Sequence, residues 1–279
     1  MSDRNTSTDA IILTIKEQGE SNRNVCAFSP ELGIFYATLY GGAKSKMRAF
    51  VQTFNFGKIY LYTDEVRHTR KISDFDVKSC HPTFRTSLYK MWASNLAAEI
   101  ILKTKCAGDD KTSFKLFSAY LDGLDACDEN NARLGTIRFL WRYLALLGVQ
   151  PDVHSCVQCG RSLISKSFSE QSGNSVNENH TQIQNDKNDA VYIPSMNGFV
   201  CSDCLPYSNN EAQNQNRGLA LNEDALLYLA AINELSPGKV RALVIKSTSV
   251  YQMKSLVFML IENACGSKLK SLESGFGIL

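Results

Sequence analysis

Cys156-Val157-Gln158-Cys159-Gly160, with its counterpart Cys201-Ser202-Asp203-Cys204, is the stretch around which the rest of the chain is organised. Two residues between thiols let a tight knuckle aim both sulfurs at one point. Two knuckles supply the four thiolates of a closed tetrahedral Zn²⁺ site. Gly160 stands where such a turn needs a residue that tolerates positive φ. One CxxC by itself would suit a thioredoxin-like redox site as well. Two of them, separated by 41 residues, point to zinc held by Cys156, Cys159, Cys201 and Cys204. Four thiolates leave no open ligand position, which argues for a structural role. His154, two residues before the first pair, is the alternative ligand.

Helical periodicity flanks this module on both sides. Leu134, Ile137, Leu140, Trp141, Leu144 and Leu147 predict a helix over 132–147, stopped by Gly148 and Pro151. Upstream, Phe84, Leu88, Trp92, Leu96 and Ile100 recur every fourth residue, the apolar stripe of one helix. A further helix is expected over 113–124. Downstream, helical spacing resumes over 223–235, is broken by Pro237-Gly238 and returns over 250–264. Between the cysteine pairs, residues 165–188 are rich in Ser, Asn, Gln, Glu and Asp. They cannot bury a core and predict a disordered insertion. Val191 to Val200 reads as a hairpin turning at Met196-Asn197-Gly198, and 209–216 as a second polar linker. The cysteine module is therefore expected as an insertion in an all-helical domain.

The first 80 residues carry a different pattern. Ala10-Ile11-Ile12-Leu13-Thr14-Ile15, Val25 to Phe28, Ile34 to Tyr40, Phe50 to Thr63 and Val66 to Val77 are short strand-like runs with turn signals between them. Gly57 marks a bulge or bend. Five strands in so few residues predict a small closed barrel of the OB type, with an SH3-like barrel fitting the pattern almost as well. The fold class is α+β and multidomain. Its expected parts are an OB-type domain over 1–79, helical segments over 80–151 and 207–279, and an inserted zinc-ribbon-like module with four cysteine ligands over 152–206.

Thirty Lys and Arg against 28 Asp and Glu leave a net charge of +2, so bulk charge announces no nucleic-acid partner. Locally the balance differs. From Lys44 to Lys71, seven cations face only Asp64 and Glu65, a surplus of five. Lys44, Lys46, Arg48, Lys58 and Arg70 are the candidate phosphate contacts. Lys44, Lys46 and Arg48 alternate, which places them on one side of an extended segment. Tyr36, Tyr40, Phe50, Phe54, Phe56 and Tyr60 interleave with them, as in OB folds that hold single strands; most of these rings are expected in the core. Asp122, Asp125, Asp128 and Glu129 read as a solvated helix end. Neither a P-loop, a GxSxG elbow nor an HExxH helix occurs, and the expectation is a protein without an active site. No apolar run approaches the ~20 residues of a membrane span, and the polar start lacks a signal-peptide core. A cytoplasmic, nucleoid-associated protein is expected. Of nine cysteines, the scattered Cys26, Cys80, Cys106, Cys127 and Cys265 are expected in the core.

Gly19-Glu20-Ser21-Asn22-Arg23, Phe28-Ser29-Pro30-Glu31-Leu32-Gly33, Gly41 to Lys46 with Gln52-Thr53-Phe54, Arg138 through Asp152 running into the first cysteine pair, and Leu269-Lys270-Ser271-Leu272 together resemble the RecO family of recombination mediators. That resemblance implies a non-enzymatic role in DNA repair and RecF-pathway recombination. It implies binding of single- and double-stranded DNA, with Arg23 joining the DNA contacts, and annealing of complementary strands. It also implies contact with the C-terminal tail of the single-strand-binding protein SSB and, with RecR, loading of RecA. Arg138 and Arg142, one helical turn apart, are candidates for an acidic, apolar-ended peptide such as that tail. Two rivals stay open: a zinc-containing RNA-binding adaptor and a thiol-redox enzyme.

Overall fold

The computed structural model describes residues 4–42, 45–165, 189–205 and 218–275. The predicted polar insertion (Ser165 apart), the second polar linker and Lys44 fall outside them. Two compact units divide the chain: Met1–Phe139 with Cys265–Leu279, and Leu140–Ala264.

The first unit opens with β1 (Asn5–Gln18), β2 (Asn22–Ser29), β3 (Gly33–Leu39), a four-residue helix α1 (Met47–Phe50), β4 (Phe56–Asp64) and β5 (Thr69–Ser79). The strands close in the order β1-β2-β3-β5-β4, with β3 and β5 paired in parallel at Thr38 and Lys71. This order and closure give the OB-type barrel. Alternation drives it: Ala10 and Ile12, Val25 and Ala27, Phe35, Ala37 and Leu39, Ile59 and Leu61, and Ile72 and Phe75 meet in one apolar interior. Gly57 sits at a register shift where β4 passes β5, and a Cβ there would lie 2.1 Å from the Asp76 carbonyl oxygen. Only glycine lets the two backbones approach so closely.

The expected strand from Phe50 begins six residues later. Met47–Phe50 turn as α1, Phe54 adopts φ +66°, and the Asn55 side chain donates to the Phe50 carbonyl. Local turn bonding there outcompetes an aromatic-rich run that looks extended.

Three helices follow in this unit: α2 (Leu88–Thr104), α3 (Asp110–Ala126) and α4 (Glu129–Leu146), which runs on past the unit boundary. Of the stripe read from Phe84, Trp92, Leu96 and Ile100 are buried on α2 as expected, and the two N-terminal members differ. Phe84 lies in a 3-10 turn before the Ser87 N-cap, and Leu88 is 71% exposed. Because α2 buries Tyr89, Trp92, Ala93, Leu96, Ala97, Ile100 and Ile101, its apolar surface is broad rather than a single stripe.

Asp122, Asp128 and Glu129 are exposed as expected and Asp125 is half-buried, and these carboxylates also have protein partners. Asp122 Oδ1 faces His81 Nε2 at 3.0 Å, while His81 Nδ1 lies 2.9 Å from the Phe54 carbonyl. Asp125 accepts from the Thr83 amide and hydroxyl, and buried Lys90 donates to the Asp125 carbonyl. Asp128 accepts from the Asn131 amide. The Asp122–His81 and Asp125–Thr83 bonds join residues 41 and 42 positions apart, which sequence spacing does not reveal.

The other helix of the unit, α8 (Lys270–Ser274), is pinned onto α2. Glu99 accepts from the Lys270 and Ser271 amides at 2.9 and 2.8 Å, and Trp92 Nε1 donates to the Ser271 carbonyl. A carboxylate at a helix N-terminus satisfies two otherwise orphaned amides.

The second unit holds β6 (Ala190–Ile193), β7 (Gly198–Cys201) and β8 (Leu219–Leu221), then α5 (Glu223–Glu234), α6 (Pro237–Ala242) and most of α7 (Ser247–Cys265). The hairpin turns at Asn197 (φ +44°) as expected. Strand β8 is three residues long and completes the sheet order β7-β6-β8, which no sequence signal announced. Pro237-Gly238 ends α5 but also starts α6, with Pro at the first turn, where its missing N–H is not needed. Cys26 and Cys106 are buried and Cys127 and Cys265 half-buried. Cys80 departs from expectation: just past the end of β5, it is exposed.

Candidate nucleic-acid interface and metal centre

The barrel's outer face carries an in-register row of five solvent-directed residues. Lys16 pairs with Asn24, Asn24 with Thr38, Thr38 with Lys71, and Lys71 with Tyr62. Tyr36 and Tyr40 flank Thr38 on the same face of β3 and are 61% and 53% exposed. The Lys71 ammonium lies 5.4 Å from the Tyr40 ring centroid, close enough for a cation–π interaction. The row lies between the β1–β2 hairpin, residues 19–21, and the β4–β5 loop, residues 65–68. OB folds use the face between these two loops for oligonucleotides. Exposed rings beside ammonium groups offer stacking surfaces and phosphate partners together.

The sequence-predicted DNA contacts distribute unevenly about this face. Arg23 Nε donates to Glu17 at 2.9 Å; Arg48 reaches the same carboxylate at 3.3 Å and also donates to the Gly41 and Ser21 carbonyls. Arg48 therefore ties the β1–β2 turn to the segment after β3, while Arg23 braces the hairpin itself. Lys58 is exposed but stands in register between Asp9 on β1 and Asp76 on β5. Arg70 is turned toward the barrel interior, its guanidinium 5.8 Å from the buried Phe35 ring. Strand alternation sends Arg70 inward with Ile72 and Lys71 outward. Lys46 is exposed, just before α1. Of the six rings named from sequence, Phe54 is buried and Phe56 and Tyr60 half-buried, whereas Tyr36, Tyr40 and Phe50 are exposed. Lys16 and Tyr62 escaped the sequence reading because their place in the row depends on pairing across strands far apart in the chain.

Arg142 is engaged by α5: its Nε and Nη2 donate to the Ile232 carbonyl at 3.2 and 3.0 Å. Such a bond satisfies a carbonyl in the last turn of a helix. Arg138, one turn earlier, is half-buried.

The two knuckles converge in the second unit. The Sγ atoms of Cys156, Cys159, Cys201 and Cys204 all lie within 4.8 Å of one another. Cys159 and Cys201 sulfurs are 3.7 Å apart. Four sulfurs about 2.3 Å from one tetrahedral Zn²⁺ stand about 3.8 Å apart, so the spacing fits. The Gly160 amide donates to the Cys156 carbonyl with Gly160 at φ +72°, and the Val157 amide is held by the Phe199 carbonyl of β7.

Electrostatics favour a cation among these sulfurs. Burial opposes ionisation of Cys156, but amide donors from Cys201, Cys159 and Gln158 outweigh it and bring its pKa down to about 6. Hydrogen bonds to the Cys159 and Cys201 sulfurs hold the proton on Cys204, pushed up to about 12. Four crowded thiols cannot all ionise by themselves, and a divalent cation removes the conflict. His154 is not part of the cluster; its Nε2 lies 2.9 Å from Glu234. The four cysteines are compatible with a zinc site.

Fold and sites together define a class: an OB-type barrel with a basic, aromatic outer face, carried with helices and a four-cysteine module on one chain. The family models for the N-terminal and C-terminal parts of recombination protein O match residues 1–80 and 85–273. The chain belongs to the recombination protein O family, which places it among DNA repair and recombination proteins. It is similar to the DNA repair protein RecO of Desulforamulus reducens, 23% identical over 95% of this chain and 91% of that one. The RecO of Exiguobacterium sp. is 26% identical over 94% and 91%. That of Nostoc punctiforme is 29% identical, over 57% of this chain and 55% of its own length. Among the described residues no helix is long and apolar enough to cross a membrane.

Proposed function

We propose that this protein is a recombination mediator that binds single- and double-stranded DNA and anneals complementary strands without breaking a covalent bond. With RecR it helps RecA load onto DNA coated by SSB. The single observation carrying this reading is the row Lys16-Asn24-Thr38-Lys71-Tyr62 flanked by Tyr36 and Tyr40. Annealing needs cations to offset repulsion between two phosphate chains and surfaces on which unpaired bases rest. It needs no general acid, base or metal-bound water. Lys46, just before α1, extends the phosphate path, and Lys44 is kept as a contact on its charge in the sequence alone. Arg23, Arg48, Lys58 and Arg70, where they touch DNA, do so as secondary contacts: Arg23 and Arg48 pair with Glu17, Arg70 lies over the Phe35 ring and Lys58 lies 5.9 Å from the Tyr60 ring.

Zn²⁺ held by the four cysteines keeps the knuckles and the three-stranded sheet folded and takes no part in DNA chemistry. The acidic SSB tail is assigned to Arg138 and Arg142 on α4, of which Arg142 already donates to the Ile232 carbonyl. The protein works in the cytoplasm at the nucleoid.

The decisive experiment is annealing of complementary strands coated with SSB. A rate well above that of the coated strands alone is expected, with preference for DNA over RNA of the same sequence. No acceleration would refute the mediator reading, and a preference for RNA would favour an RNA adaptor.

A further inference from the structure

Annealing requires a protein to hold two strands, and the barrel face accounts for one. From Leu235 to Ile261 the chain contains no Asp or Glu, yet it carries Lys239, Arg241, Lys246 and Lys254. These residues fall on α6, the connection after it and the first two turns of α7, all in the second unit. Lys239, Arg241 and Lys246 are exposed; Lys254 is half-buried. Arg241 Nε is steadied by the Pro237 carbonyl at 3.2 Å, which leaves its remaining guanidinium donors available. Asp224, at 3.6 Å from Lys246 Nζ, offsets part of one charge.

A ring completes the patch. Tyr251 is 66% exposed, and Lys254 Nζ lies 5.4 Å from its centroid. Lys71 stands the same 5.4 Å from the exposed Tyr40 on the barrel. Each unit thus presents the same chemical pair: a solvent-facing phenol ring with an ammonium beside it. Only four residues of chain separate Ala242 from Ser247, so the two helix ends lie within roughly 18 Å, at about 3.6 Å per residue. The four cations therefore lie along one short, continuous stretch of chain, residues 239–254.

We propose that the α6–α7 segment is a second single-strand contact, taking the phosphodiester backbone on Lys239, Arg241, Lys246 and Lys254 with a base resting on Tyr251. This rests on the annealing function proposed above and assigns the second strand a surface. Four cations without nearby sequence carboxylates favour a polyanion that repeats along its length, and the exposed ring favours one with planar bases.

The test separates the two sites. Protein saturated with labelled oligo(dT) is offered a second, differently labelled oligo(dT), and energy transfer reports the ternary complex. Oligo(dT) cannot pair with itself, so capture reports protein contacts alone. For the variant carrying Lys239→Glu, Arg241→Glu, Lys246→Glu and Lys254→Glu, first-strand affinity is expected to stay within about twofold of wild type, while second-strand capture falls at least about tenfold. The corresponding all-Gln variant, which adds no repulsion, is expected to lose capture in the same direction but less, and Tyr251→Ala to weaken it with unchanged salt dependence. Undiminished capture by both charge variants overturns the inference, whether a second barrel or another surface then holds the strand. Undiminished capture together with lost binding of a poly-Glu peptide would make the patch a protein-docking surface, also overturning it. Failure of first-strand binding in wild type would instead strike the barrel reading.

Discussion

Replacing Tyr40 and Lys71 with alanine is the sharpest probe of the barrel face. Tyr40 is a half-exposed ring whose removal costs no core packing, and Lys71 belongs to the cross-strand row, between Thr38 and Tyr62. Loss of one base stack is worth about 1–3 kcal/mol, a roughly 5- to 150-fold drop in single-strand affinity for Tyr40→Ala. Removing one phosphate partner lowers the steepness of log K against log salt by about 0.7 for single strands. Tyr40→Ala should therefore weaken binding at every salt concentration, whereas Lys71→Ala should weaken it most at low salt and flatten the slope. The cation–π pair that either substitution removes is exposed and contributes at most about 1 kcal/mol to folding, so both proteins should melt close to wild type. Lys58→Ala is the control, because Asp9 and Asp76 stand in register on either side of that lysine; its effect should be less than about twofold. Fluorescence anisotropy with labelled oligo(dT) across a salt series reads all three. If Tyr40→Ala and Lys71→Ala bind like wild type, or Lys58→Ala costs as much as either, the outer row is not the DNA face.

Three further outcomes are expected. Gly57→Ala places a methyl group against the Asp76 backbone and should cost at least about 1–3 kcal/mol in urea unfolding, since backbone rather than a side chain must yield. For Glu99, burial opposes the charge, but donors from Ser271 and Lys270 and the nearby Lys103 ammonium outweigh it and hold the pKa below the usual carboxylate range. A depressed carboxylate stabilises the fold above its ordinary pKa and loses that contribution as pH falls through the lowered value. Wild type should accordingly exceed Glu99→Gln in stability by about 1–2 kcal/mol at neutral pH, with the gap closing in acid below about pH 4; a pH-independent gap would show that charge is not what matters. Chelation or Cys156→Ser should remove one zinc per chain and raise amide exchange in residues 153–163 and 190–204 while barrel amides stay protected. Metal analysis with exchange mass spectrometry checks this, and full protection after complete zinc loss would contradict a folding role for the metal.

What the sequence determined was local. The two knuckles are legible because CxxC spacing and Gly160 fix their own turns. The five strands follow from alternation within each run, and α3, α4, α5 and α7 from apolar spacing and caps. The family likeness rested on the same short-range motifs. What only the tertiary structure decided was which charges remain at the surface and which rings face out. Seven cations between residues 44 and 71 looked equivalent, but Arg48 bonds to Glu17, 31 positions away, Arg70 covers Phe35, and Lys58 lies between Asp9 and Asp76. Lys16, Lys71, Tyr36, Tyr40 and Tyr62 gather on one surface because antiparallel pairing and the parallel β3–β5 closure set their alignment. Those pairings join residues tens of positions apart, and strand register is an energy of the whole barrel rather than of any segment within it.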